Sequence, residues 1–125
     1  MCLVTKTNIP SIAKNDITCY KVLISMNNTL RTVYRDFPVS IGTVMTDTAK
    51  EEIKHVFGNI LIEGGFFHSC VDIESAKTLI NTLSSSNLKS LKIYEAKIPK
   101  GTEYYKGECK DLCSKSLVII KEYID

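Results

Sequence analysis

The longest apolar stretch of the chain, Ile17–Met26 (ITCYKVLISM), is rich in β-branched and aromatic residues. A run this continuous is typical of a strand that is buried on both faces. Asn27 and Asn28 follow it and tolerate the positive φ of a tight turn, which predicts a hairpin with a returning strand over residues 30–34. Shorter apolar or loosely alternating runs predict further strands at residues 60–62, 91–98 and 117–124.

A first helix is predicted over residues 48–57. Thr48 and Glu51 have the spacing of a capping box, in which each side chain accepts a hydrogen bond from an amide left free at the helix start. Gly58 suits the left-handed residue that ends many helices. The apolar residues of this segment fall on one helical face: Ala49, Ile53, Val56 and Phe57.

A second helix is predicted over residues 72–84, with Asp72 as its N-cap. Its apolar face would consist of Ile73, Ala76, Leu79, Ile80 and Leu83. Helices placed between strand segments favour the α+β class. We therefore expect residues 1–125 to form a single small domain, with a mixed or antiparallel sheet and two main helices.

The composition and charge of the chain argue against some classes of function but do not indicate a particular one. The chain has 125 residues, with 16 Lys and Arg against 14 Asp and Glu, which leaves a formal net charge of +2. This balance makes direct binding to nucleic acid or to a membrane surface an unfavoured hypothesis. The sequence also contains no apolar run near the length that spans a bilayer and no export signal, so we expect a cytoplasmic protein.

Cysteine is the residue type that suggests chemistry. The chain has five, an odd number for a protein without an export signal: Cys2, Cys19, Cys70, Cys109 and Cys113. Cys109 and Cys113 are four residues apart, and His68 and Cys70 would share one face of an extended segment. Together these four residues form a candidate structural zinc site, since zinc accepts thiolate and imidazole ligands. The alternative is that the cysteines are small buried groups and that His68 bonds to the backbone.

Four segments of the chain stand out together: the opening MCL, the strand CYKVL at 19–23, the segment GFFHS at 65–69 and the block IPKGTEYY at 98–105. In this combination the chain resembles a family of small proteins found in phages and mobile elements of gut bacteria. The resemblance covers nearly the whole chain and implies no catalytic residue. It implies an accessory role, because small accessory genes of phages often counter host immunity.

The predicted elements run from an early strand with the aromatic-basic pair Tyr20-Lys21, through the segment GFFHS, a helix and a strand that ends in Pro99-Lys100-Gly101, to a final strand. This order is similar to that of ADP-ribosyltransferases. It implies that Lys21, Ser69 and the adjacent His68 would hold a nicotinamide nucleotide. The late catalytic Glu of that fold has no counterpart here, since Ser114-Lys115-Ser116 precedes the last predicted strand. This departure makes catalysis doubtful even on that fold.

The function we expect is therefore that of a non-enzymatic, phage-type accessory protein. It would bind and inhibit a bacterial defence component, such as a CRISPR effector or another nuclease complex, in the cytoplasm of a bacterial host. The alternative is an ADP-ribosyltransferase-like nucleotide-binding domain, acting as an enzyme or as a ligand sponge. The alternative requires Lys21, His68 and Ser69 to meet in one pocket, whereas an inhibitor requires only an exposed patch with aromatic and charged groups.

Overall fold

The computed structural model describes residues 3–7, 9–33, 37–84 and 90–124, so Cys2 and Tyr34 lie outside the described residues. Within these ranges the chain forms thirteen strands and one helix, α1, at Ile73–Ser84. The strands are β1 Leu3–Thr5, β2 Ser11–Ile12, β3 Ile17–Met26, β4 Thr29–Thr32, β5 Pro38–Val39, β6 Val44–Thr46, β7 Glu52–Val56, β8 Asn59–Gly64, β9 Phe67–Cys70, β10 Leu91–Ile98, β11 Glu103–Lys106, β12 Asp111–Ser114 and β13 Ser116–Glu122.

The strands form two antiparallel sheets. Ten strands make the larger sheet, in the order β2-β11-β12-β9-β3-β10-β13-β6, with β4 paired to β3 and β5 paired to β4. The smaller sheet has the order β1-β8-β7, with β8 in the middle. The strand β3 lies at the centre of the larger sheet and pairs with the whole length of β10, from Leu91↔Ile24 to Ile98↔Ile17. The predicted strands at Ile17–Met26 and at 91–98 are therefore confirmed.

Three clusters of buried side chains hold these elements together. The largest lies on one face of the larger sheet and includes Leu23, Phe67 and Ile119. The helix α1 packs on the opposite face through Ala76 and Leu83, which meet Val22 and Ile93. The third cluster lies between the smaller sheet and the larger one and consists of Leu3, Ile60, Ile62, Phe66, Tyr105 and Cys113.

The second predicted helix is present. Asp72 precedes α1, and its Oδ1 accepts a hydrogen bond from the Ser75 amide at 2.8 Å, which satisfies one of the free donors at the helix start. The same bond lowers the pKa of the Asp72 carboxyl. The N-cap and the apolar spacing that predicted this helix are thus both confirmed.

The first predicted helix is wrong. Residues 52–56 form β7, which makes a hairpin with β8, and Asp47 Oδ1 accepts a hydrogen bond from the Ala49 amide at 2.9 Å in the loop before it. The expected α+β class with two main helices is therefore corrected to a β-rich fold, with one helix among the residues that the structure describes.

Residues 52–56 form a strand and not a helix because of contacts with β8 and with the loop that follows it. Ile53 pairs with Ile62, and Gly65 lets the backbone of Glu51 approach so closely that a Cβ at Gly65 would lie 2.6 Å from the Glu51 Cα. A helix of ten residues is marginal by itself, so these tertiary contacts override the local capping signal.

Candidate functional site

A gap in the larger sheet creates the first candidate site. On the edge of β3 that faces away from β10, β9 pairs only at Tyr20↔Cys70 and β4 pairs only from Leu23 onward. No strand therefore pairs with Lys21 and Val22 on this side in the described part of the chain. A cavity of about 70 Å³ lies at this gap, and its lining includes Leu79 and Leu83 of α1.

The three residues expected to bind a nucleotide all line this cavity: Lys21, His68 and Ser69. The Lys21 ammonium donates a hydrogen bond to the His68 carbonyl oxygen, so this side chain bridges β3 and β9 where their backbone pairing stops. His68 Nε2 lies 3.3 Å from the Glu63 carbonyl oxygen. The structure thus brings the three residues together, as the nucleotide hypothesis requires.

The nucleotide hypothesis stays a prediction. It is supported by the convergence of these three residues at one cavity.

The buried thiols near the cavity are poor nucleophiles at neutral pH. Burial raises the pKa of Cys19 to about 11, although the charge of Lys21 acts in the opposite direction. Burial likewise raises the pKa of Cys70 to about 11. Because the thiolate is the reactive form, both thiols are inert at neutral pH.

The candidate zinc ligands are only partly brought together. Cys113 on β12 lies directly opposite His68 on β9, and Cys70 lies opposite Asp111. Cys109 is exposed in the connection between β11 and β12, and burial raises the pKa of Cys113 to about 12. The described residues contain no group of three or more His, Cys, Asp or Glu arranged to hold a metal ion. The zinc site therefore stays a prediction.

The second candidate site is the tip of the β7–β8 hairpin. Phe57 and Gly58 form its two-residue turn, with φ values of 49° and 78°, between the paired residues Val56 and Asn59. Two successive positive φ values are typical of the turn that best matches the twist of a hairpin. The Phe57 side chain is 100% exposed, and Val56 beside it is 38% exposed.

An aromatic residue is costly at this position. The β3–β4 hairpin has the same kind of turn, but there Asn27 and Asn28 occupy the left-handed positions with φ of 54° and 63°. Asparagine adopts this conformation readily, whereas a bulky side chain does so at a cost of roughly 1–2 kcal/mol. Since a fully exposed side chain contributes nothing to the core, Phe57 gives the fold no return for this cost.

The base of the hairpin is firmly attached. The Lys115 ammonium lies 3.2 Å from Glu51 Oε2, donates a hydrogen bond to the Gly65 carbonyl oxygen at 2.9 Å and lies 4.9 Å above the centre of the Phe66 ring. These contacts tie both ends of the hairpin to the loop before β13. The hairpin is therefore fixed to the rest of the fold at its base, while its tip is exposed.

The sequence did not mark Phe57 as a candidate functional residue, because the predicted helix placed this side chain on its buried face. The signal that could have found it is the two-residue spacing, Phe57-Gly58, between the β-branched residues of 53–56 and 60–62. Phe-Gly is a weak turn signal beside Asn-Gly, and the competing capping box outweighed it.

No protein-family model, curated protein or solved structure matches the chain. Within the described residues, no helix is long and apolar enough to cross a membrane.

Proposed function

We propose that this chain is a non-enzymatic accessory protein of the phage type, which binds and inhibits a defence component of a bacterial host. The observation that carries the proposal is the fully exposed Phe57 in a left-handed position at the hairpin tip. A side chain that costs the fold free energy and buries nothing is best explained by contacts outside the fold.

The magnitudes favour a binding role. A buried aromatic side chain removes about 150–250 Å² from water, which at about 25 cal/mol per Å² gives an upper value of roughly 4–6 kcal/mol. This gain exceeds the roughly 1–2 kcal/mol that the left-handed position costs. Exposed aromatic anchors of this kind dominate the energetics of many protein–protein interfaces.

The class of partner rests on the resemblance of the chain to phage accessory proteins. Such a protein acts in the bacterial cytoplasm, where host nuclease complexes are located. The nearly balanced charge, +2 overall, gives no support to a direct competition for nucleic acid. The partner surface we expect is therefore a protein surface with an apolar pocket that accepts Phe57.

The test is a plaque count on bacteria whose CRISPR system targets the infecting phage. We expect expression of the parent protein to restore plaques and Phe57→Asn to abolish the effect. Ile124→Asn is the matched control, because Ile124 is also largely exposed, at 79%, but lies far along the chain from the hairpin. Full activity of Phe57→Asn, or an inactive parent across a panel of defence systems, contradicts the proposal.

The convergence of Lys21, His68 and Ser69 at one cavity favours a second candidate, the ADP-ribosyltransferase-like nucleotide-binding domain. Its test is the release of nicotinamide from NAD by the purified protein. We expect none above background. Nicotinamide release that disappears in Ser69→Ala would favour this candidate over the binding protein.

A further inference from the structure

We propose that the outer edge of β7 is a strand-addition site, at which an extended segment of the partner pairs antiparallel to β7 and ends beside Phe57. This inference deepens the proposed function and rests on it for the identity of the partner. The site itself is argued from the backbone of the hairpin.

The register determines which backbone groups point outward. Val56 pairs with Asn59 across the two-residue turn, and the pairs then follow as His55↔Ile60, Lys54↔Leu61 and Ile53↔Ile62. Hydrogen-bonded and non-hydrogen-bonded pairs alternate in an antiparallel ladder, and the pair next to such a turn is hydrogen-bonded. The N–H and C=O groups of His55 and Ile53 therefore point away from β8, toward the open edge.

Among the described residues, β7 is the longest strand at the edge of a sheet. The other outer strands are β1, β2, β5 and β6, which have only two or three residues each, whereas β7 has five. Very short edge strands are a common protection against unwanted pairing. The chain applies this protection at the other edges and not at β7.

The lysine on this strand does not shield the edge. A lysine in an outer strand often blocks strand addition, but Lys54 Nζ lies 3.2 Å from Glu63 Oε2 on the neighbouring strand. Its ammonium is thus directed across β8 and away from the outer edge. A bulge between Glu52 and Ile53 ends the regular edge, so the added segment would pair with Ile53–Val56 only.

The environment of β7 specifies the chemistry of the segment. Ile53 packs against the cluster that contains Ile60 and Ile62, so a segment with an apolar residue on this face would extend that core. On the opposite face lies the ion pair of Lys54 with Glu63, so polar residues of the segment suit that face. The expected occupant is an extended peptide with alternating apolar and polar positions.

Two substitutions of His55 distinguish the contribution of its backbone N–H to peptide binding from that of its side chain. His55→Pro removes the outward N–H but no hydrogen bond to β8, and proline is tolerated in outer strands. His55→Ala removes the imidazole and keeps the N–H. The probe is a displayed library of random twelve-residue peptides, selected on the full chain.

We expect the enriched peptides to bind His55→Ala within about threefold of the parent and His55→Pro at least tenfold more weakly. Hydrogen exchange on the parent should show the Ile53 and His55 amides slowed by the peptide, which also decides the matter if His55→Pro does not fold. No enrichment over an unrelated protein, or unchanged exchange at both amides, overturns the inference.

The plaque assay separates this inference from the proposed function. If Phe57→Asn loses inhibition and His55→Pro retains it, the partner binds the tip without strand addition. If peptides add to β7 but the parent inhibits no defence system, the edge is a binding site and the proposed function is wrong.

Discussion

Two aspartates illustrate how single residues set the pH dependence of the fold. Asp111 begins β12, and burial raises the pKa of its carboxyl, against hydrogen bonds from its own amide and that of Cys109. Its Oδ1 has no hydrogen-bond partner among the described residues. Asp72 has the opposite shift, because the Ser75 amide and hydroxyl stabilise its ionised form.

The raised pKa of Asp111 means that the folded state binds this proton more tightly than the unfolded state. Its contribution to stability is therefore greatest below the ordinary pKa of about 3.9 and declines as the pH rises through the raised value. We predict that Asp111→Asn flattens this decline. The check is urea unfolding from about pH 4 to 7; a steeper decline in the variant would contradict it.

Asp72→Asn is predicted to act with the opposite sign. The lowered pKa of Asp72 gives stability that is present above its ordinary pKa and is lost as the pH falls through the lowered value. We expect the variant to lose stability at neutral pH and to approach the parent in acid. The check is urea unfolding at neutral pH and at about pH 2, below the ordinary carboxyl pKa. Equal losses of stability at both pH values would show that the charge of Asp72 does not contribute.

Thiol reactivity tests the cysteines. In the native protein we expect iodoacetamide to modify the exposed Cys109 and to spare Cys19, Cys70 and Cys113, whose burial raises their pKa values. Mass spectrometry of peptides identifies the modified sites. A zinc ion bound as predicted from the sequence would instead protect Cys109 until a strong chelator is added.

At the scale of elements, the glycine after β8 determines how the hairpin folds back. Gly65 has a φ of +86°, and a Cβ there would lie 2.6 Å from the Glu51 Cα. Gly42 has nearly the same φ, +81°, but no atom within 4 Å of such a Cβ. Comparing Gly65 with Gly42 therefore separates the cost of the left-handed backbone conformation from the cost of the close contact with Glu51.

We predict that Gly65→Ala destabilises the fold more than Gly42→Ala does. Gly42→Ala should cost about 1 kcal/mol for the left-handed conformation alone, and Gly65→Ala should add the cost of displacing the Glu51 backbone. Urea unfolding of both variants gives the difference. Equal losses would mean that the β7 backbone moves aside freely.

The elements that sequence predicted correctly are those whose local signals agree with their tertiary role. Ile17–Met26 is continuously apolar and lies at the centre of the larger sheet, and Asp72 starts α1 as expected. Residues 48–57 have conflicting signals, since a capping box stands before a segment that also alternates as a strand. The pairing of Ile53 with Ile62 resolves the conflict in favour of the strand. In the sequence, the weak Phe-Gly turn signal between these residues does not outweigh the capping box.

At the scale of the whole molecule, the candidate sites depend on topology that the sequence does not reveal. Lys21 and His68 are 47 positions apart, and they meet because β9 pairs with the edge of β3 next to Lys21. The convergence with Ser69 that the nucleotide hypothesis requires is present, and α1 adds Leu79 and Leu83 to the lining of the same cavity. The exposed hairpin tip likewise follows from the smaller sheet, which the expected two-helix architecture did not contain.

Our central proposal is that Phe57 contacts a partner protein and that its left-handed conformation lowers the stability of the fold. Asparagine occupies the equivalent turn positions in the β3–β4 hairpin, so Phe57→Asn introduces a residue that suits the left-handed conformation.

The most direct measurement is the free energy of unfolding of Phe57→Asn by urea titration. We predict that the variant is more stable than the parent by about 1 kcal/mol, with an unchanged dependence on urea concentration. A variant less stable than the parent would show that Phe57 contributes to the fold, and would contradict its role as an anchor held for a partner.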